Sequence, residues 1–454
     1  MLKRLFNIFS LDQDTQTMTL EPMNNALDII PRDQHNISRR DISPNALKVM
    51  KALNKAGFEG YLVGGGIRDL LLGQSPKDFD VATDATPEQV KQLFRSSRII
   101  GRRFRIVHVR FGREIIEVTT FRGQDSDSQQ QIESDTGQLL RDNVYGDMRS
   151  DALRRDFTVN ALYYTLKDFA VYDYTQGLKD IEERQLRIIG DPLTRYKEDP
   201  VRLLRAVRFA AKLGFTIEAE TAAPIRTNAS LLNNVPAARL FDEILKLFLN
   251  GSATATYELL KSFHLLQPLF PQTMAVLDNS PYYSGLIDAV MINTDKRIRG
   301  EKRVTPAFIY GALLWPAFME HQQQLVREGV PELAAVNQAA SAVIGQQLSS
   351  IMIPKRFLIP MRQIWDLQWR LTQRGGKRAE RALNHEKFRA GYDFLLMREA
   401  AGENLGGLGQ WWTQYQDLDT DAREAMIKAL APPTSKRPRR RKKRPPSAPT
   451  HPNE

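Results

Sequence analysis

The sequence predicts an α+β protein: a mixed α/β head with a short sheet, then an all-helical neck and body, then a disordered basic tail. Three observations carry this. Short apolar runs with period-two alternation, punctuated by glycine, occur between about residues 43 and 175. Strand signals fade after Gly190 and helical patterns of moderate length take over, with no internal repeat. Beyond residue 430 apolar residues nearly vanish, while seven prolines and eight basic residues appear against a single acid, Glu454. Such a segment cannot bury enough apolar surface to fold alone.

The boundaries expected are a poorly ordered leader over 1–42, the head over 43–175, a helical neck over 176–250, a helical body over 251–430 and the tail over 431–454. The start, Met1 to Ser10, is basic and then apolar, but too short and interrupted for a secretory segment. It reads as a frayed or domain-docked chain end, the alternative being a short interfacial helix bearing Leu2, Leu5, Phe6 and Phe9. A helix is expected from Ile42 to Ala56, with Ala46, Leu47, Val49, Met50 and Leu53 apolar and Gly57 ending it. Gly60-Tyr61-Leu62-Val63 reads as a buried strand entering the turn Gly64-Gly65-Gly66. A short helix, Ile67 to Leu72, is closed by Gly73, and Phe79 to Ala82 is a second strand. Thr86, Pro87 and Gln89 spell a capping box with proline at the first helical position. Arg105–Arg110 and Glu114–Thr120 around Gly112 form a hairpin pattern, and 123–140 is a polar excursion. Asp199-Pro200 reads as the cap of a helix with a basic stripe, Arg202, Arg205 and Arg208, beside an apolar one, Leu203, Val207 and Ala210, closed by Gly214.

Composition excludes several classes. With no cysteine among 454 residues, disulfides, thiolate metal sites and cysteine nucleophiles are ruled out. The six histidines are scattered, which argues against a histidine metal cluster, and His108 lies within an alternating strand where a structural role is expected. No run approaches the ~20 apolar residues of a membrane span, so a cytoplasmic protein is expected. The net charge is +11, most of it in the tail. The tail cations Lys436, Arg437, Arg439, Arg440, Arg441, Lys442, Lys443 and Arg444 make an arm suited to a polyanion.

The chemistry centres on Asp78 and Asp80. Positions i and i+2 share one face of a strand, so two carboxylates stand together just after a turn whose backbone N–H groups suit phosphate. This is a candidate Mg²⁺ site for phosphoryl or nucleotidyl transfer. The turn is neither a Walker A loop nor G-x-G-x-x-G. Glu117, between apolar neighbours in the hairpin, is the local candidate for a third acid or else an edge residue.

Leu62 through Gly73, followed by Lys77-Asp78-Phe79-Asp80, resembles the first motif of the class II template-independent nucleotidyltransferases, the bacterial poly(A) polymerases and tRNA CCA-adding enzymes. Arg154 through Leu162 resembles their second motif, Glu198 through Phe209 their nucleotide-recognition helix, and Ala238 to Lys246 a later helical motif. The match is dense over about 58–250. The resemblance implies a polymerase-β-like head in which Asp78 and Asp80 bind two Mg²⁺ ions and Asp156 is a further active-site acid, leaving Glu117 or Asp156 as the third metal-site residue. It implies that Gly64, Gly65, Arg68 and Arg155 meet the nucleotide and its triphosphate. It also implies that Asp199 and Arg202, followed on the same stripe by Arg205, read the incoming base. ATP is then the substrate and RNA 3′ ends the acceptor, with a monomer expected.

Ile100 through Val109 resembles the poly(A) polymerase branch. Arg102 and Arg103, with Arg105 nearby, suit RNA phosphates, and the tail suits RNA capture or, alternatively, proteins of RNA decay. No His-Asp dipeptide, the mark of a phosphohydrolase domain in some CCA-adding enzymes, occurs here. CCA addition and a non-catalytic RNA-binding protein are the alternatives. Deleting 431–454 is expected to weaken RNA binding and flatten its salt dependence while sparing catalysis on saturating primer; binding isotherms across a salt series check this, and an unchanged slope would assign the arm to protein contacts.

Overall fold

The computed structural model describes residues 26–101, 105–123, 131–133, 139–142, 144–277 and 280–430. Arg102, Arg103, the first 25 residues and the basic tail lie outside the described residues. The chain divides into two compact units, one up to Asn228 and one from Ala229.

In the first unit, residues 28–41, expected in the leader, are folded. Strand β1 (Asp28–Ile30) is followed by single 3₁₀ turns at Arg32–Gln34 and Arg39–Asp41. Helix α1 (Pro44–Lys55) starts where Ser43 accepts from the N–H groups of Asn45 and Ala46, with Pro44 at N1. Its buried face is Ala46, Val49, Met50 and Leu53. β2 (Tyr61–Val63) runs into α2 (Gly65–Leu71), which begins two residues earlier than its side-chain pattern suggests. β3 (Asp80–Thr83) precedes α3 (Pro87–Leu93), whose capping box of Thr86 and Gln89 is formed in both directions. β4 (Ser97–Ile100), β5 (Ile106–Phe111) and β6 (Glu114–Thr120) follow, the last two as the expected hairpin. A separate pair, β7 (Gln131–Glu133) and β8 (Leu139–Asp142), lies in the polar excursion. Next come α4 (Met148–Arg154), a 3₁₀ turn at Thr158–Asn160, β9 (Leu162–Thr165) and β10 (Val171–Asp173).

Eight strands join in the order β1-β10-β9-β2-β3-β6-β5-β4, with β3 and β6 parallel and the other neighbours antiparallel. One face carries Tyr61, Val63, Ala82, Phe121 and Tyr163 against Ala152 of α4. The alternate residues, including Leu62, Val81, Val118 and Tyr164, are buried on the opposite face.

The segment expected as a separate neck is hydrogen-bonded into the head. α5 (Gly177–Glu182), β11 (Gln185–Leu186), α6 (Pro192–Glu198), α7 (Val201–Leu213), β12 (Thr216–Ile217) and α8 (Ala219–Thr227) complete the first unit. Arg195 Nη2 of α6 donates to the carbonyls of Arg154 at 2.5 Å and Arg155 at 2.7 Å. Thr158 N donates to Arg187 O at 3.0 Å. These bonds explain why the division falls after Asn228 and not near 175.

The second unit is helical throughout its described residues, from Ala237–Phe248 to Thr420–Lys428. One of its clusters gathers Leu371, Phe388, Tyr392, Trp411, Trp412 and Tyr415. Trp412 Nε1 donates to Leu371 O at 3.0 Å, so the indole is buried with its donor satisfied. Among the described residues no helix is long and apolar enough to cross a membrane.

Gly177 shows how tightly the second motif is held. A Cβ there would stand 2.3 Å from Thr158 O, and the Thr158 hydroxyl donates to Asp180 Oδ2 at 2.6 Å. Gly177→Ala is expected to destabilise the first unit by roughly 1–3 kcal/mol through overpacking against backbone, measured as a shift of the urea midpoint.

Candidate active site

A single register row assembles the site. Tyr163 of β9 pairs with Val63 of β2, Val63 with Asp80 of β3, Asp80 with Glu117 of β6, and Glu117 with His108 of β5. Directly paired residues share a face, so Asp80, Glu117 and the Tyr163 ring project to one side. Val63 leads into Gly64, which has φ 72°, a conformation that side-chain-bearing residues rarely adopt. A Cβ at Gly64 would lie 3.7 Å from both Asp80 Oδ2 and Arg155 Nη1. The turn therefore sits between the principal acid and a guanidinium. Asp78 precedes β3 and is exposed, while Phe79 between the two acids is buried, as alternation requires.

Burial raises Asp80 to about 6, the charge of Glu117 adds to this, Arg155 opposes it and Asp78 adds a further push. His108 Nε2 lies 3.1 Å from Glu117 Oε1 and ties that acid from the neighbouring strand. Among the described residues no group of three or more His, Asp or Glu side chains is placed to hold a metal ion. The mutually repelling pair Asp80 and Glu117 nonetheless fits Mg²⁺, which takes one or two carboxylates and completes its shell with phosphate and water.

Arg155 and Asp156 are neighbours held by different partners. Arg155 donates from Nη2 to Asp151 Oδ2 at 3.0 Å and from Nε to the Tyr163 hydroxyl at 2.9 Å, and that hydroxyl donates to Asp151 Oδ2 at 2.6 Å. Asp156 accepts from Arg205 Nε at 2.7 Å and Nη2 at 2.5 Å, from Asn160 Nδ2 at 3.2 Å and from Phe157 N at 2.9 Å. Burial works against its charge, but Arg205, Asn160 and the Phe157 N–H outweigh burial and bring its pKa down to about 2. Of the two candidates for the third acid, Glu117 shares the row with Asp80, whereas Asp156 is engaged by Arg205.

Arg68, expected at the triphosphate, is buried. It donates to Asp69 Oδ1 from Nε at 2.9 Å and Nη2 at 2.6 Å, and from Nη1 to Asn160 Oδ1 at 2.5 Å. It therefore braces α2 from within. Asp199 both ends α6 and caps the first turn of α7 as expected: it is extended, Pro200 after it is helical, and its Oδ1 accepts from Val201 N at 3.3 Å. Arg202 Nη1 donates to Glu198 Oε2 at 2.8 Å and to Arg195 O at 2.7 Å. Arg195 Nη1 shares the same Glu198 oxygen at 2.7 Å. The guanidinium groups of Arg68, Arg205 and Arg208 lie 5.3, 5.1 and 4.7 Å from the Phe209 ring centroid.

Sequence reasoning missed Asp151, Asn160, Tyr163, Arg195 and Glu198. Two of the pairs had a local signal, since Asp151 and Arg155, like Glu198 and Arg202, are spaced i,i+4. Tyr163 had none, because it reaches Arg155 through the strand order.

Three family models match the chain: the poly A polymerase head domain over residues 60–187, the probable RNA and SrmB-binding site of polymerase A over 214–277, and the polymerase A arginine-rich C-terminus over 328–446. The fold is also that of the CCA-adding enzyme of Bacillus stearothermophilus, solved in complex with CTP. The two share a TM-score of 0.52 and 24% identity over 86% of this chain and 84% of that one. Head and site thus define a nucleotidyltransferase. Poly(A) polymerase I of Salmonella typhi is 50% identical over 426 residues, 92% of this chain and 91% of its own length. A CCA-adding enzyme of Lactobacillus helveticus is 36% identical over 219 residues, 48% of this chain and 53% of its own. The chain belongs to the poly(A) polymerase I family.

The Asp156–Arg205 pair generates a pH prediction. A carboxylate depressed from 3.8 to about 2 stabilises the fold fully above pH ~4 and loses that contribution as pH falls through 2. The contribution is about 2 kcal/mol. Asp156→Asn is expected to lower stability at pH 7 and to flatten the acid limb of the stability profile between pH 4 and 2, read by denaturant titration at each pH.

Proposed function

We propose that this protein is a template-independent adenylyltransferase that extends RNA 3′ ends from ATP in RNA processing and decay. The observation that carries this reading is the Asp80–Glu117 row beside the Gly64 turn, in a chain half identical to poly(A) polymerase I over nearly its whole length. The RNA 3′-hydroxyl attacks the α-phosphorus of ATP in line; a new phosphorus–oxygen bond forms and the bond to pyrophosphate breaks. Asp78, Asp80 and Glu117 would hold the Mg²⁺ ions, which when bound lower the pKa of the attacking hydroxyl and neutralise the leaving pyrophosphate. Arg155, fixed by Asp151 and Tyr163 and adjacent to the turn, is assigned to the triphosphate oxygens.

Asp199 and Arg202 are assigned to reading the adenine edge, Arg202 being oriented by Glu198. An acceptor and a fork of donors on consecutive turns give a protein surface that replaces a template strand. The basic arm of the tail is assigned to RNA capture. The CCA-adding enzyme of Lactobacillus helveticus aligns with about half of this chain and poly(A) polymerase I of Salmonella typhi with nearly all of it, which supports the poly(A) reading.

Full-length protein is expected to build long tails from ATP alone on an oligo(A) primer. Asp80→Ala is expected to retain primer binding in a gel-shift assay and to lose tailing by roughly a thousandfold, on the order of 4 kcal/mol of barrier. Near-normal tailing by folded Asp80→Ala would overturn the assignment. Addition confined to tRNA lacking its terminus, with CTP incorporated, would identify a CCA-adding enzyme.

A further inference from the structure

The sheet face opposite the acids holds a second basic feature. Tyr163 and Tyr164 are consecutive in β9, so Tyr164 points away from the face that carries Asp80. There, residues 32–40 lie over Tyr164 and α1 and border an open concavity of about 510 Å³. Its charged lining is Arg32, Arg39, Arg40 and Lys51, with the rings of Tyr164 and Phe169 as aromatic wall. No carboxylate lines it, and among the described residues none of the four cations is ion-paired. Arg32 Nη1 donates to His35 O at 3.0 Å, and the Arg39 guanidinium lies 4.8 Å from the Phe169 ring centroid.

The wall is held at a conformational cost. Phe169 has φ 60°, a left-handed conformation unfavourable by roughly 1–2 kcal/mol for a residue with a side chain. His35 Nε2 lies 2.9 Å from the Phe169 carbonyl, and the His35 ring meets Tyr164 edge-on at 6.0 Å. The 3₁₀ turn at Arg39–Asp41 is capped by Ser38, which accepts from Arg40 N. Four like charges converging on one concavity repel one another, and an anion there relieves that repulsion. An arginine stacked on an aromatic ring is also a surface on which a planar base lies well. The volume falls within the ~300–1,000 Å³ of small-molecule sites.

We propose that this cavity is a second binding site, distinct from the catalytic one, for a phosphate-bearing ligand of mononucleotide size. The phosphoryl group lies among Arg32, Arg39, Arg40 and Lys51, and the planar base against the part-exposed Phe169 ring, with buried Tyr164 as the floor. The same chemistry is offered by a free nucleotide and by one residue of an RNA strand passing behind the head.

Photolabelling of the full-length protein separates these sources. The probes are 8-azido-AMP and an oligo(A) carrying one 8-azidoadenosine, with the labelled peptides mapped by mass spectrometry. Label is expected on peptides bearing Phe169, and is expected to fall at least tenfold in Arg39→Ala/Lys51→Ala while label near the Gly64 turn persists. Both substituted side chains are exposed, and an unchanged thermal melt verifies the fold. Calorimetric titration with AMP is expected to give two equivalents for the parent and one for the variant if free nucleotide is the ligand. Labelling of these peptides by the oligonucleotide alone identifies an RNA strand. Absence of label there from both probes, with equal AMP stoichiometry in parent and variant, overturns the proposal.

Discussion

The hydrogen-bond register across β9, β2, β3, β6 and β5 is the constraint on which the rest of this head depends. It lines up Tyr163, Val63, Asp80, Glu117 and His108 in one row. Side chains alternate strictly along each strand, so a slip of one residue in β3 would carry Asp80 to the other face and expose Val81. Burial of Val63, Ala82 and Phe121 on one side and of Leu62, Val81 and Val118 on the other makes that slip costly. The apolar core thus fixes the geometry of the acids without touching substrate. Gly64 extends the same row into the turn, because its φ of 72° is one that residues with a Cβ rarely adopt.

Around that row the arginines are preset by acids. Arg155 is held by Asp151, Arg205 by Asp156, Arg202 by Glu198 and Arg68 by Asp69. A long side chain free in water must lose rotamer freedom when substrate arrives, whereas one already fixed does not. The pairs are largely screened from water, so removing one acid leaves an uncompensated charge and not merely a missing contact. The packing that stabilises the head is in this way the same packing that fixes its cations in place.

Local chemistry made much of the fold legible. The Thr86–Gln89 capping box, the β5–β6 hairpin and the strand entering the glycine turn involve neighbours in sequence, where propensity and periodicity act directly. The strands β1, β4, β9 and β10 are three or four residues long, too short to show a period, and exist because a neighbouring strand supplies partners for their backbone. Asp199-Pro200 is a helix start, Asp199 accepting from Val201 N. The chain contains a second such step, Asp191-Pro192, and there the aspartate caps α6, accepting from Thr194 N at 2.7 Å. At Pro200 the missing N–H breaks one helix from the next, and Asp199 closes the joint between them.

By itself, the sequence determined the strand that carries Asp80, the glycine turn and the basic stripe of α7, because each depends on spacing within a few residues. It left open which distant acid stands beside Asp80 and which acid holds each arginine. Tertiary structure decided both: Glu117 enters through a parallel strand pairing, and Asp156 is engaged by Arg205 of α7. Cross-strand register and helix docking minimise the exposed apolar surface of the whole unit, and that is a property no local stretch of chain encodes.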